Sequence, residues 1–185
     1  MIRKKQNEEL TNLENKISEK KKSKTTLKKL RILLLKITFI VLFIYISFGY
    51  IFGLKRMNQS YMTPNIKEGD LVFYYRVEKE YKVGDVVVIN KDNKEYVLRI
   101  VATSDQIIDI NSKDEFLVDG YVEPYNVYYK TKKYENINYP YTIPKDEYFV
   151  LADYRQSAKD SRVFGTITKD EIKGKVISKL QVRNI

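Results

Sequence analysis

A cluster of ionisable and hydroxyl side chains follows one apolar run near the C-terminal end of the chain. The run, Tyr148–Leu151, is typical of a buried strand. Carboxylates, cations and hydroxyls then occur together: Asp153, Arg155, Ser157, Lys159, Asp160, Ser161 and Arg162. Ion pairs at the end of a buried strand cost desolvation free energy unless their geometry is good. The cluster is therefore either a solvated loop of mixed charge or an ordered site.

The composition limits the chemistry that such a cluster can perform. The 185-residue chain contains no Cys, no His and no Trp. The absence of Cys excludes a disulfide framework and Cys-ligated zinc, and the absence of His removes the most common general base. A hydrolase built on this chain must use Lys or a carboxylate as its base. The sequence contains no metal-ligand cluster and no Gly-rich phosphate loop, so we predict neither a metal nor a cofactor.

The positive charge of the chain is concentrated at its N-terminal end. The formal net charge is +10. Residues 1–36 hold 12 Lys and Arg against 4 Glu, whereas residues 37–185 hold 22 Lys and Arg against 20 Asp and Glu. A nucleic-acid-binding domain would carry its basic patch on a folded face. The asymmetry therefore argues against a nucleic-acid partner.

An uncharged apolar segment lies between the basic tail and the rest of the chain. No residue from Ile37 to Leu54 is charged, and these eighteen residues span about 27 Å as a helix, close to the bilayer core. The run is too long for a signal-peptide core, and no small-residue cleavage site follows it. Because Lys and Arg are more frequent before the segment than after it, the N-terminus is expected inside the cell. We predict a cytosolic tail (1–31), a single-pass anchor (32–54) and an extracytoplasmic domain (55–185).

The predicted domain is mainly β. Short runs rich in Val, Ile, Tyr and Phe alternate with turn residues, and no long helical period is present except one short turn at Lys169–Ile172. The predicted strands are Leu71–Tyr75, Asp85–Ile89, Tyr96–Val101, Ile107–Ile110, Phe116–Val118, Tyr148–Leu151 and Gly174–Leu180. Residues 121–145 are rich in Tyr. They form either an ordinary loop or β-extension, or an exposed recognition surface.

Five motifs, in order behind the apolar segment, resemble those of type I signal peptidases, the membrane-bound serine proteases that remove signal peptides. The polar cluster resembles the last of these motifs, in which Gly-Asp-Asn-Arg is followed by Asp-Ser-Arg and Phe-Gly. The matching segments of this chain are Tyr61-Met62-Thr63-Pro64-Asn65, Gly84-Asp85-Val86-Val87-Val88, Tyr96-Val97-Leu98-Arg99-Ile100-Val101, Val118-Asp119-Gly120 with Glu123-Pro124-Tyr125, and Ala152-Asp153-Tyr154-Arg155 with Asp160-Ser161-Arg162. The resemblance implies a signal-peptidase-like antiparallel β domain.

The resemblance also implies a Ser/Lys dyad, and this chain lacks its polar groups. In the family, a Ser before Met attacks the scissile carbonyl, a buried Lys takes its proton, and a second Ser orients the Lys. The corresponding positions here are Tyr61, Leu98 and Ala158. Leu cannot accept a proton, and a phenol has an ordinary pKa near 10. We therefore expect a non-catalytic homologue.

Other parts of the family's site are retained. The resemblance implies two structural ion pairs, Arg99 with Asp153 and Asp160 with Arg162. It also implies a groove that takes an extended peptide by strand-like pairing. The groove candidates are Met62, Pro64 and Val97.

Two functions follow as alternatives. Non-catalytic members of the family occur with sortase-assembled pili in Gram-positive bacteria. The resemblance therefore implies an accessory or chaperone role that binds an extended peptide, a signal peptide or a pilin subunit, with a sortase as a further partner. The alternative is an active signal peptidase in which Ser60 is a shifted nucleophile. Such an enzyme would need a base, and the nearest candidates in sequence are Lys91, Lys94 and Lys159. A one-residue shift along a strand turns a side chain to the other face, which argues against Ser60.

Overall fold

The computed structural model describes residues 26–124, 129–156 and 158–182. Most of the predicted tail, 1–25, lies outside the described residues, as do Tyr125, Tyr128 and Ser157. The chain divides into two compact units, Met1–Ser47 and Phe48–Ile185. The prediction of a mainly β domain behind one N-terminal apolar helix is confirmed.

The apolar segment forms a single helix, α1, over Thr26–Ile51, and its last turn, Ser47–Ile51, is a π-helix. Among the described residues, α1 is the one helix long and apolar enough to cross a membrane. The predicted anchor, 32–54, overlaps α1 over residues 32–51. Phe52 lies in a strand, where its ring stacks on Phe73 with the ring centroids 5.0 Å apart.

The second unit contains two antiparallel sheets. The larger has the strand order β1-β2-β11-β3-β4-β9-β10, and the smaller has the order β7-β6-β5-β8. The strands are β1 Phe52–Arg56, β2 Leu71–Tyr75, β3 Val86–Lys91, β4 Lys94–Thr103, β5 Ile107–Ile110, β6 Phe116–Val118, β7 Tyr121–Val122, β8 Tyr141–Thr142, β9 Glu147–Leu151, β10 Ile167–Thr168 and β11 Ile172–Leu180. A four-residue helix, α2, covers Ser161–Phe164, and a short 3₁₀ turn covers Lys169–Glu171.

Strand β4 organises the core because its two faces contribute to three separate apolar clusters. Leu98 and Ile100 belong to the first cluster, Val97 to the second, and Val101 to the third. The alternation follows from the two-residue period of a strand. On either side, β4 pairs with β3 and β9. The residues of the motif Tyr96–Val101 on β4 are therefore held on both sides by backbone hydrogen bonds.

A charged network fixes three strands of the larger sheet to one another. Glu95 of β4 bonds to Lys173 of β11 at 2.5 Å and to Lys55 of β1 at 2.6 Å. The hydrogen bond from Lys173 and, to a smaller extent, the one from Lys55 lower the pKa of the Glu95 carboxyl to about 2. Glu95 is therefore ionised at neutral pH and links β1 to the centre of the sheet.

Candidate functional site

The loop between β1 and β2 places Tyr61 beside the core. Backbone hydrogen bonds from Met57 to Asp70 and from Gly69 to Met57, both 2.8 Å, close the base of this loop. Met62 is fully buried and fixes the loop to the sheet. Tyr61 itself is half-buried. The buried Met62 therefore holds the neighbouring Tyr61 phenol at the surface of the core.

The polar segment after β9 packs directly against this loop. The backbone N–H of Tyr154 donates to the carbonyl of Tyr61 at 2.8 Å. The side-chain amide of Asn65 donates to Asp153 Oδ2 at 2.9 Å. These two bonds bring together residues about ninety positions apart in sequence, so two of the five sequence motifs form one surface.

The three positions of the expected dyad converge on one apolar cluster. Leu98 is 0% exposed and Ala158 is 3% exposed, and both belong to the cluster against which Tyr61 and Phe164 pack. The rings of Tyr61 and Tyr96 are nearly parallel, with centroids 6.5 Å apart, and Phe164 lies 5.8 Å from Tyr96. We call Tyr61, Tyr96 and Phe164 the aromatic cluster. Burial raises the pKa of the Tyr96 phenol.

Arg99 and Asp153 form a bidentate ion pair next to this cluster. The Nε and Nη2 atoms of Arg99 donate to the two carboxylate oxygens of Asp153, both at 2.8 Å. Nη1 donates to the carbonyl of Gly84 at 2.8 Å. Bidentate geometry of this kind restricts the orientation of both side chains. The pair therefore fixes the start of the polar segment to β4 and to the turn before β3.

Asp160 and Arg162 form a second ion pair, and both side chains are 0% exposed. Asp160 accepts from Nε and Nη2 of Arg162 at 2.9 and 2.8 Å, and it also caps α2 by accepting from the backbone N–H of Arg162. Arg162 Nη2 donates further to the carbonyl of Arg155 at 2.8 Å. The ring of Tyr134 lies 5.0 Å from the guanidinium carbon of Arg162. The pair holds α2 and, with it, Phe164 of the aromatic cluster.

A second fully buried ion pair, between Arg155 and Glu123, was not predicted from the sequence. Arg155 Nη2 contacts both carboxylate oxygens of Glu123, at 3.0 and 2.8 Å, and Nη1 donates to Thr131 Oγ1 at 3.1 Å. Burial raises the pKa of the Glu123 carboxyl, and the charge of Arg155 acts in the opposite direction. Both residues lie in motifs already noted. The Tyr-rich segment between them in sequence contains no pattern that indicates their contact.

The alternative nucleophile, Ser60, lies in a different environment. Its side chain is exposed, and its hydroxyl donates to Glu68 Oε2 at 3.4 Å. Of the alternative bases, Lys91 forms an ion pair with Glu171 at 2.7 Å, while Lys94 and Lys159 are exposed. None of these contacts places a lysine ammonium on the Ser60 hydroxyl.

The structure separates the three predicted groove residues. Met62 and Val97 are 0% and 1% exposed and pack together in the second core cluster. Pro64 is exposed. Strand and loop geometry turn Met62 and Val97 inward, so Pro64 is the one of the three candidates with an exposed side chain. The surface at this point is formed by Tyr61, Pro64 and Tyr154.

The described residues contain no group of three or more carboxylates that could hold a metal ion. The surface at the site combines the phenols of Tyr61 and Tyr154 with the ion pairs described above. Tyr129 extends this surface, since its ring lies edge-on to Tyr154 with centroids 4.6 Å apart.

Comparisons with known proteins agree with these motifs. The family model described as "Signal peptidase, peptidase S26" matches residues 30–180. Signal peptidase I P of Bacillus subtilis subsp. natto is 32% identical over 126 residues, which cover 61% of this chain and 68% of that protein. Signal peptidase IB of Staphylococcus aureus (strain COL) is 32% identical over 167 residues, which cover 78% of this chain and 85% of that protein.

A solved structure is also similar. The crystal structure of a signal peptidase I from Enterococcus faecalis V583 aligns with a TM-score of 0.46 and 19% identity, covering 54% of this chain and 98% of that one. The family model, by contrast, spans most of this chain, from α1 to the end of β11. On the strength of that match, the chain belongs to the signal peptidase family, peptidase S26.

Proposed function

We propose that this protein is a non-catalytic member of its family that binds an extended polypeptide without cutting it. The observation that carries the proposal is the combination of a lost dyad and an ordered frame. Tyr61, Leu98 and Ala158 share one apolar cluster, while Arg99–Asp153 and Asp160–Arg162 are fully bonded. Mutations accumulating without selection would also be expected to break these pairs, and breaking one partner of a fully buried pair such as Asp160–Arg162 costs about 3–5 kcal/mol.

Catalysis at the family's position is disfavoured by simple proton chemistry. A nucleophilic hydroxyl needs an adjacent group that accepts its proton. The side chain at the base position, Leu98, is a fully buried hydrocarbon. The nearest aromatic neighbour of Tyr61 is Tyr96, another phenol whose pKa is raised by burial. The aromatic cluster therefore supplies contact area and no general base.

The same surface is suited to binding. Extended peptides bind by backbone hydrogen bonds, with apolar contacts to alternate side chains. Tyr61, Pro64 and Tyr154 present apolar and aromatic surface on two loops that hydrogen bonds hold together. Aromatic side chains provide large contact area at low entropic cost. A signal peptide or a pilin subunit is the partner we propose, with the pilin precursor as the first candidate and a sortase as a possible neighbour.

We further propose a single-pass membrane protein with its N-terminus in the cytoplasm. The apolar helix α1 has the length and composition of a membrane span. Lys28, Lys29 and Arg31 lie at its N-terminal end, and only Lys55 and Arg56 follow closely. Basic residues favour the cytoplasmic side. The β domain would then face the outside, where exported polypeptides emerge.

Replacing Tyr61 by Glu is expected to weaken peptide binding without unfolding the domain. The substitution places a charge on the apolar surface and replaces no member of the three ion pairs described above. We expect the affinity of detergent-solubilised full-length protein for a fluorescent signal peptide to fall at least about tenfold, equivalent to about 1.4 kcal/mol. Fluorescence anisotropy measures the affinity, and thermal unfolding checks the fold.

The matched control is Tyr121→Glu. Tyr121 lies in β7 of the smaller sheet and is 80% exposed, so the same change of charge there should leave the affinity unaltered. Equal affinities for the wild type and Tyr61→Glu would contradict the proposed binding surface.

A further inference from the structure

A basic and aromatic cavity of about 640 Å³ lies beside the proposed peptide surface. Its walls include Tyr129, Lys130, Lys132, Tyr134, Arg155 and Gln156. The family comparison assigns no role to this part of the Tyr-rich segment. Concave sites that combine apolar walls with a few convergent polar groups are typical ligand sites.

Several hydrogen bonds fix the segment that forms the cavity to the rest of the domain. Thr131 is 1% exposed and accepts from Arg155 Nη1. The carbonyl of Lys132 accepts from Arg162 Nη1 at 3.5 Å. Asn136 donates to the carbonyl of Val163 at 2.9 Å. Two of these partners belong to the buried ion pairs, so the shape of the cavity depends on the same framework that holds the aromatic cluster.

The charge on the cavity walls is positive. Lys133 is balanced by Asp109 at 3.2 Å, and Arg155 is balanced by Glu123. Lys130 and Lys132 are exposed, and the residues that line the cavity include no carboxylate. In addition, Nε of Arg155, in a side chain only 2% exposed, makes no hydrogen bond within the described part of the chain. The cavity therefore offers the positive charge of Lys130 and Lys132 to an anionic group.

The position of the cavity favours a polypeptide over other anions. The Tyr129 ring on its wall packs against Tyr154, whose backbone N–H bonds to the carbonyl of Tyr61. We propose that an extended chain lying across Tyr61 and Tyr154 continues into the cavity, and that the cavity binds an acidic segment of this polypeptide. The inference rests on the proposed function and adds the charge of the ligand to it.

The test uses fluorescent peptides in which one half is extended and apolar and the other half is rich in Asp and Glu. Two such peptides are made, one with the acidic half at the N-terminal end and one with it at the C-terminal end. Their counterparts replace Asp and Glu by Asn and Gln. Against the full-length protein in detergent, we expect one acidic peptide to bind roughly three- to tenfold more tightly than its neutral counterpart, as expected for two exposed charge pairs. Because exposed charges are screened by salt, the difference should decline as ionic strength rises.

Lys130→Glu/Lys132→Glu should abolish the preference, and Lys130→Arg/Lys132→Arg should keep it. The control Lys113→Glu/Lys145→Glu makes the same change of net charge at exposed lysines elsewhere and should have no effect.

The possible failures are distinguishable. Equal binding of acidic and neutral peptides overturns the acidic-ligand inference and leaves the proposed function standing. Binding of neither peptide contradicts both. If Lys130→Glu/Lys132→Glu alters only co-sedimentation with anionic phospholipid vesicles, the cavity recognises a lipid headgroup and the inference is wrong.

Discussion

The variant Tyr61→Ser/Leu98→Lys/Ala158→Ser is expected to cleave a signal-peptide-bearing substrate that the wild-type protein leaves intact. The three positions already lie in one cluster, so the substitutions place a hydroxyl, an amine and an orienting hydroxyl within the same small volume. A lysine at position 98 would be buried, which lowers its pKa and makes the neutral amine available as a base. General base catalysis contributes about 10²–10⁴ in rate.

The control separates the base from the change in packing. Tyr61→Ser/Leu98→Met/Ala158→Ser has a side chain of similar size at position 98 but no amine. We expect the Lys variant to cleave at least about 100-fold faster than this control. Product formation, followed by gel electrophoresis of a labelled preprotein, measures both rates. Equal rates in the two variants would contradict the assignment of position 98 as the base position.

Asp160→Ala is expected to lower the free energy of unfolding of the β domain by about 3–5 kcal/mol. The substitution leaves the Arg162 guanidinium buried without its carboxylate and removes the cap of α2. Denaturant unfolding of the full-length protein, followed by circular dichroism, measures the change. The double variant Asp160→Ala/Arg162→Met should recover part of the loss because it removes the unpaired charge.

A surface pair provides the comparison. Lys133 and Asp109 lie 3.2 Å apart with side-chain exposures of 51% and 39%. Lys133→Ala should change stability by less than about 1 kcal/mol, as for exposed ion pairs generally. A loss of similar size in Lys133→Ala and Asp160→Ala would mean that burial does not determine the contribution of these pairs.

Much of the β domain could be predicted from its sequence because its strands are short, apolar and bounded by turns. Strands β2, β5 and β6 have the predicted bounds. Strand β1 was missed since Phe52, Gly53 and Leu54 continue an uncharged apolar run that suits a membrane as well as a sheet. Helix α2 was missed because it is only four residues long and depends on the Asp160 cap.

The candidate site could be predicted only in part from the sequence. The resemblance identified Tyr61, Leu98 and Ala158 as equivalent positions, but the sequence carries no signal that Tyr61 stacks on Tyr96. It also gave no indication that Arg155 reaches Glu123 across the Tyr-rich segment. Contacts between residues distant in sequence depend on how the strands assemble, and a motif describes only its own residues.

We propose that this chain retains the family's fold without its peptidase activity. The most direct test incubates the full-length wild-type protein in detergent with a labelled preprotein and, in parallel, with a pilin precursor, and measures both cleavage and binding. We predict that neither substrate is cut and that at least one is bound intact. Cleavage by the wild type that disappears in Ser60→Ala would contradict the claim and identify Ser60 as the nucleophile of an active signal peptidase.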